Sequence, residues 1–199
     1  MFALREVRCR KEVLLASYPV LFAVQQFAEG LVWLSLDDAS RPGLTSAAAG
    51  VYLFFSHVFW PVMFPLTVLA LEGDARRRRF VARLFLPLGI ALSGYLFACI
   101  HLAGGVSAVL AVCGHVDYQL LIPGVTAAKV VYGVVVLGSF GVASDRRLAL
   151  FGALIGLALA LSFLIAEAAI ISVWCFFAAL LSLYLLWYLR GGSAAASRG

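Results

Sequence analysis

The sequence predicts an all-α integral membrane protein, a bundle of six transmembrane helices with both termini in the cytoplasm. The chain of 199 residues is 64% hydrophobic and only 13% charged, whereas soluble domains are about half apolar and about a quarter charged. Its mean hydropathy is +1.03. Its apolar residues also form runs of the roughly 20 residues that a helix needs to cross a bilayer. The four cysteines show no CxxC spacing, so they do not indicate a zinc or thioredoxin motif.

Each predicted span is an apolar run bounded by charged or loop-forming residues. The six runs are Val13–Leu36, Thr45–Leu71, Phe80–Leu102, Gln119–Val142, Leu148–Ala166 and Ala168–Leu189. Almost no loop separates the last two runs, so we expect them to form a tight antiparallel hairpin.

The spans divide the chain into three parts. Residues 1–12 are a basic N-terminal segment, residues 13–190 form the transmembrane domain, and residues 191–199 are a tail whose small, polar composition predicts disorder. The stretch 103–116 is too short to span and too apolar for an ordinary loop. We expect it to lie at the interface, or to re-enter the membrane and cover the outer mouth of the bundle.

The basic residues indicate the orientation, because their clusters fall on one side of a six-helix path. These clusters are residues 5–11, Arg76–Arg79, Arg146–Arg147 and Arg190, and the opposite loops hold only Arg41. The positive-inside rule therefore predicts cytoplasmic termini. The chain has 15 Lys and Arg against 10 acids. Because the basic residues lie on one side of the predicted spans, we interpret them as an orientation signal that contacts anionic membrane lipid, not as a nucleic-acid surface.

The first span carries a polar stripe where a membrane helix usually has Leu or Val. Glu29 lies roughly 10 Å below the predicted outer end of the helix, at 1.5 Å per residue. Gln25 and Gln26 precede it by four and three residues and Trp33 follows it by four, so all four share one helix face. A charge at the centre of a membrane helix costs on the order of 3 kcal/mol and almost always faces the bundle interior.

The second span combines a histidine with two prolines. His57 is twelve residues from the predicted outer end, and Pro61 and Pro65 follow at intervals of four. Because proline has no N–H, the carbonyls of His57 and Pro61 lose their helical partners. Neighbouring helices, water or a bound group must then satisfy them.

The remaining ionisable residues gather in the outer half of the predicted bundle. They are His101, His115, Asp117, Lys129 and Glu167. In this topology Lys129 lies about eleven residues into the fourth span, which would make it a partner for Glu29. Either charge would be costly to bury alone, but the two would be tolerable together as an ion pair.

Histidine and carboxylate groups are the usual ligands of zinc and non-haem iron. The first hypothesis is therefore a metal-dependent membrane enzyme that acts on a lipid or amphiphile. Its zinc or iron ligands would be Glu29, His57, His101 and His115, and Glu29 and Glu167 would be its catalytic groups. No HExxH, HxxxH or ExxH motif occurs, so the ligands would come from separate helices.

Two other hypotheses use the same polar residues differently. In a small-solute or proton-coupled transporter, Gln25, Gln26 and Lys129 would line a polar path with Glu29. In a non-catalytic subunit of a homo-oligomer or larger membrane complex, these groups would form a purely structural network.

Three stretches carry a resemblance to a known family: QQFAEGLVWL, FFSHVFWPVMFPLTVLALE and ISVWCFFAALLS. They resemble a family of small bacterial integral-membrane proteins catalogued only as a domain of unknown function, which implies a bacterial inner-membrane location and no particular activity. The neighbouring Ser56 and His57, with Glu29, are also loosely similar to the polar groups of ceramidase-like membrane hydrolases. The chain lacks the HxxxH pair of those enzymes and has six predicted helices where they have seven.

Overall fold

A computed structural model describes residues 10–36, 42–102, 107–110, 116–165 and 170–196. Helices and one small β-hairpin make up these parts of the chain. In chain order the elements are α1 (Val13–Ser35), α2 (Pro42–Leu53), α3 (Trp60–Leu71), α4 (Ala75–Phe80), α5 (Leu86–His101), β1 (Ser107–Leu110), β2 (Val116–Gln119), α6 (Val125–Gly141), α7 (Arg146–Ile165), α8 (Ile170–Leu180) and α9 (Ser182–Ala196). A 3₁₀ turn, Arg10–Glu12, precedes α1.

Two π-helical turns join short helices into long ones. Phe54–Phe59 connects α2 to α3, and Val81–Phe85 connects α4 to α5. Such turns insert one extra residue into the hydrogen-bond ladder and occur frequently at functional sites.

The predicted all-α membrane class is confirmed. In the part of the chain that the structure describes, four helical runs are long and apolar enough to cross a bilayer: Gly43–Leu71, Ala75–His101, Arg146–Leu164 and Val173–Arg190. The 23 residues of α1 have the required length, but the polar stripe around Glu29 lowers its hydropathy. The 17 residues of α6 extend only about 25 Å at 1.5 Å per residue.

The fourth span starts later than the sequence predicts. Residues 116–119 belong to β2, and α6 begins at Val125 after Gly124, which has a φ of +62°. This left-handed conformation is accessible to glycine because it has no Cβ. The shift moves Lys129 to the outer end of its helix. At the other end of the chain, α9 stays helical to Ala196, within the tail predicted to be disordered, where alanine favours helix.

The β-hairpin lies over the end of the bundle where α1 and α2 meet. Its strands are antiparallel and pair Leu110 with Val116. Val116 packs against Val32 and Ala49, so the second strand contacts both helices. Within the stretch 103–116, which we expected to cover the outer mouth, residues 107–110 and Val116 belong to these strands, and residues 103–106 and 111–115 lie outside the described residues.

The opposite end of the bundle carries two of the basic clusters, Arg76–Arg79 and Arg146–Arg147. Glu72, at the end of α3, accepts hydrogen bonds from the N–H and the hydroxyl of Ser144 at 2.8 and 2.6 Å. Arg77 in α4 donates to the carbonyls of Val142 and Ala143, and Tyr188 in α9 donates to Asp145 at 2.7 Å. The segments that follow α3 and α6 therefore meet beside Tyr188, in the middle of α9.

Candidate functional site

Gln25 links three helices inside the bundle. It is fully buried, its Oε1 accepts a hydrogen bond from Trp60 Nε1 at 2.7 Å, and its Nε2 donates to the sulfur of Cys175 at 2.9 Å. These partners come from α3 and α8, so both ends of the amide are satisfied. Because an unpaired buried amide is costly, the pairing fixes how α1 packs between the two helices.

Glu29 lies one turn further along α1, and only 6% of its surface is exposed. Its Oε2 accepts a hydrogen bond from Gln26 Nε2 at 3.0 Å. Tyr52 of α2, Tyr118 of β2 and Cys175 of α8 all lie close enough to interact electrostatically with the carboxylate. The site is therefore built by four separate elements around one acid.

A hydrogen bond fixes the depth of this site. Thr45 Oγ1 contacts the hydroxyl of Ser35 at 2.9 Å, so these two residues are level at the ends of α1 and α2. Glu29 is six residues from Ser35 and Tyr52 is seven from Thr45, which places both about 10 Å below that level. His57 is twelve residues from Thr45 and lies about 18 Å below it, nearly two turns deeper than Glu29.

Tyr118 closes the outer side of the site. Its ring stacks on that of Tyr52 with centroids 5.0 Å apart. Its hydroxyl is buried and has no hydrogen-bond partner among the described residues. Burial, and then the negative charge of Glu29, raise the pKa of the Tyr118 phenol, so it remains a donor at physiological pH. A buried donor beside a carboxylate is suited to hold a polar group.

His57 and Ser56 form a second polar group in the π-helical turn. Ser56 Oγ lies 3.0 Å from the carbonyl of Tyr52 and 2.8 Å from His57 Nδ1. In the tautomer with the proton on Nδ1, this nitrogen donates to Oγ and the other ring nitrogen, Nε2, keeps its lone pair.

Neighbouring helices supply donors to carbonyls in this turn. Tyr132 in α6 donates to the carbonyl of Ser56 at 2.7 Å, and Ser93 in α5 donates to that of Val58 at 2.6 Å. The prolines led us to expect freed carbonyls at His57 and Pro61. The side-chain donors instead bind the carbonyls of Ser56 and Val58, on either side of His57 in the π-helical turn.

The described residues assemble part of the predicted site. Gln25, Gln26 and Glu29 cluster as expected. His101 ends α5 on the surface, with its ring centroid 4.6 Å from that of Phe97. Lys129 is exposed. The prediction that it lies about eleven residues into the fourth span was wrong, because α6 starts six residues later than predicted.

Two further predicted residues, His115 and Glu167, lie outside the described residues. Within the described part of the chain, no group of three or more His, Cys, Asp or Glu side chains could hold a metal ion.

The chain matches a family of unknown function, DUF6629, over residues 1–198. It belongs to that family. No curated protein and no solved structure matches it. The predicted resemblance to a domain of unknown function is thus confirmed. Bacterial origin, the inner membrane and the likeness to ceramidase-like hydrolases stay predictions.

The sequence did not identify several residues that complete the site. These residues are Tyr52, Tyr118, Tyr132 and Cys175, which come from four different elements, and all except Tyr118 lie in an apolar context typical of packing. Their spacing gives no periodic signal, since only tertiary packing brings them together. Buried aromatic hydroxyls need a partner, and this feature could have drawn attention to the three tyrosines.

Proposed function

We propose that this protein is a multi-pass membrane carrier that couples the passage of a small polar solute to protonation of Glu29. The observation that carries the proposal is the buried Glu29 carboxyl within electrostatic range of the Tyr118 hydroxyl, which is buried and has no hydrogen-bond partner among the described residues. An ionisable group inside a membrane bundle costs on the order of 3 kcal/mol at the helix centre and by default indicates a function. Here several elements hold it among donors that can bind a polar molecule.

Proton exchange at Glu29 would change the affinity of the site. The ionised carboxylate favours a solute that carries a donor or a positive charge, and the neutral acid releases it. Gln26 orients the carboxyl group through its hydrogen bond. The phenol of Tyr118 adds a donor that stays protonated, so Glu29 is the group that changes charge.

The fold offers a barrier at one end of the site and a π-helical turn beneath it. Strand β2 stacks Tyr118 on Tyr52, so a solute from that side would meet this strand first. Deeper in the bundle, the π-helical turn Phe54–Phe59 shifts the hydrogen-bond register of the long helix that contains α2 and α3 without breaking it, and such turns occur frequently at functional sites. The proposal includes a bacterial inner membrane with cytoplasmic termini.

Proteoliposomes test the proposal directly. Purified protein is reconstituted with an internal pH-sensitive dye and exposed to a panel of small amino acids, amines and carboxylates. We expect at least one solute to drive proton movement with the wild type and none to do so with Glu29→Gln. Lys129→Gln is the matched control, because Lys129 is exposed, and it should retain the signal. Equal flux through Glu29→Gln and the wild type would refute the role of Glu29.

A metal-dependent membrane enzyme is the second candidate, and the Ser56–His57 contact favours it. In the tautomer in which Nδ1–H donates to Ser56, Nε2 has a lone pair for a metal ion or a proton. Zinc or iron would need further ligands. Of the predicted ones, His115 lies outside the described residues, His101 is exposed at the end of α5, and Glu29 lies nearly two turns from the level of His57. Elemental analysis of purified protein tests this candidate. About one transition-metal ion per chain, lost in His57→Ala, would support it, and protein free of metal would contradict it.

A further inference from the structure

A groove of about 950 Å³ opens at the basic end of the bundle, between α4 and the last turn of α6. Its charged lining consists of Arg76, Arg77, Arg79 and Arg83 against a single acid, Asp74. Four positive charges against one negative charge make it a strongly cationic surface concavity.

Two of these charged groups build the groove. The carboxylate of Asp74 accepts the backbone N–H of Arg77 at 2.7 Å and caps α4. The guanidinium of Arg77 donates to the carbonyls of Val142 and Ala143 at 3.1 and 3.2 Å. Arg77 thus ties α4 to the end of α6, where unpaired carbonyls favour a cation.

The other three arginines remain available for a ligand. Arg76, Arg79 and Arg83 are exposed and have no ion pair among the residues that the structure describes. They follow one another by three and four residues, so they form one stripe along the helix. Arg83 lies about two turns inside the helical run, and its long side chain can extend back towards the headgroup level.

The same groove has an apolar wall. Phe80 and Leu84 line it and are 48% and 43% exposed. They alternate with the arginines along one helical run, so cationic and apolar groups lie side by side. A ligand that fits carries an oxyanion and, next to it, a hydrocarbon chain.

We propose that this groove binds the phosphate of an anionic phospholipid from the leaflet at the basic end, with an acyl chain against Phe80 and Leu84. Arginine recognises phosphate oxygens through paired hydrogen bonds. A free phosphate would satisfy the arginines but would leave the apolar wall uncovered, which is why we favour the lipid. The site is separate from Glu29, which lies near the other end of the bundle.

Native mass spectrometry of delipidated protein in detergent tests the proposal. Phosphatidylglycerol, phosphatidylcholine of the same acyl chains and inorganic phosphate are the probes. The test variant is Arg79→Gln/Arg83→Gln. The matched control is Arg78→Gln/Arg146→Gln, which removes the same charge from exposed positions at the same end but outside the groove.

We expect the wild type to retain phosphatidylglycerol in preference to phosphatidylcholine. The groove variant should bind phosphatidylglycerol roughly 100-fold more weakly, because it loses the charged hydrogen bonds of two arginines to the phosphate, and the control should bind it like the wild type. An equal loss in both variants would show a diffuse charge effect and overturn the site. Displacement of the lipid by equimolar inorganic phosphate would overturn the lipid assignment. Equal retention of phosphatidylglycerol and phosphatidylcholine by the wild type would overturn both the site and the lipid assignment, and this result does not depend on whether the variants fold.

Discussion

Replacing Gly89 by alanine tests the close packing of α5 against the proline-containing helix. A Cβ at position 89 would overlap the carbonyl oxygen of Pro61, and it would lie 3.0 Å from the carbonyl carbon and 3.3 Å from Val135 Cγ1. Ordinary contacts between carbon atoms are about 3.5 to 4.0 Å. The backbone atoms of Pro61 cannot rotate away, so α5 must move outward by at least roughly half an ångström.

The energetic cost follows from three contributions. Overpacking typically costs about 1 to 3 kcal/mol. Ser93 lies one turn beyond Gly89 in α5, and its hydroxyl donates to the carbonyl of Val58. Displacement of the helix weakens this hydrogen bond, which contributes about 1 kcal/mol. The better helix propensity of alanine returns up to about 1 kcal/mol. We therefore expect Gly89→Ala to lower the free energy of unfolding by about 2 kcal/mol.

Unfolding of the detergent-solubilised protein by SDS, followed by tryptophan fluorescence, measures this change. Gly94→Ala is the control, since it is in the same helix and a Cβ there meets nothing within 4 Å. It should be neutral or stabilise the protein by up to about 1 kcal/mol. If Gly89→Ala unfolds at the same SDS fraction as Gly94→Ala, the packing described between α5 and Pro61 is wrong.

Three further predictions concern stability, the buried amide and orientation. Burial raises the pKa of Glu72, but hydrogen bonds from Ser144 and Asp74 outweigh it and hold the pKa below its usual value. Its stabilising effect is thus present above the unfolded pKa of about 4.5 and is lost as pH falls below it through the lower folded value. Melting temperatures of Glu72→Gln should lack that acid dependence, and parallel curves would contradict it. Gln25→Leu should destabilise the bundle by about 1 to 3 kcal/mol in SDS unfolding, because the indole N–H of Trp60 loses its acceptor; wild-type stability would contradict this. In a cysteine-free background, Arg78→Cys should react with a membrane-impermeant thiol reagent only from the cytoplasmic side, and reaction from outside would reverse the orientation.

The sequence was sufficient to predict the long helices, because the hydropathy of an apolar run is a sum over its own residues. Each apolar run is long enough by itself, so neither tertiary contacts nor partners were needed to recognise it. The start of α6 was misplaced because residues 119–124 are also apolar. Pairing in β2 and the left-handed Gly124 decide that boundary, and hydropathy carries no information about either.

The candidate site was predictable only in part, for the same reason. The burial of Glu29 follows from its cost in a membrane helix, and its contact with Gln26 follows from helical spacing. Tyr52 and Tyr118 belong to separate elements, and their approach to Glu29 depends on the hairpin folding over α1 and α2. Lys129 was expected to pair with Glu29, but its surface position depends on where α6 begins.

Infrared difference spectroscopy of the carboxyl group tests the central claim most directly, since the account requires Glu29 to exchange a proton. Reconstituted protein is subjected to a pH jump while the C=O stretch of protonated carboxyl groups is recorded. We predict a band from a buried carboxyl that is absent in Glu29→Gln and retained in Glu72→Gln. A spectrum that Glu29→Gln leaves unchanged would show that this carboxyl does not change protonation, and would contradict the account.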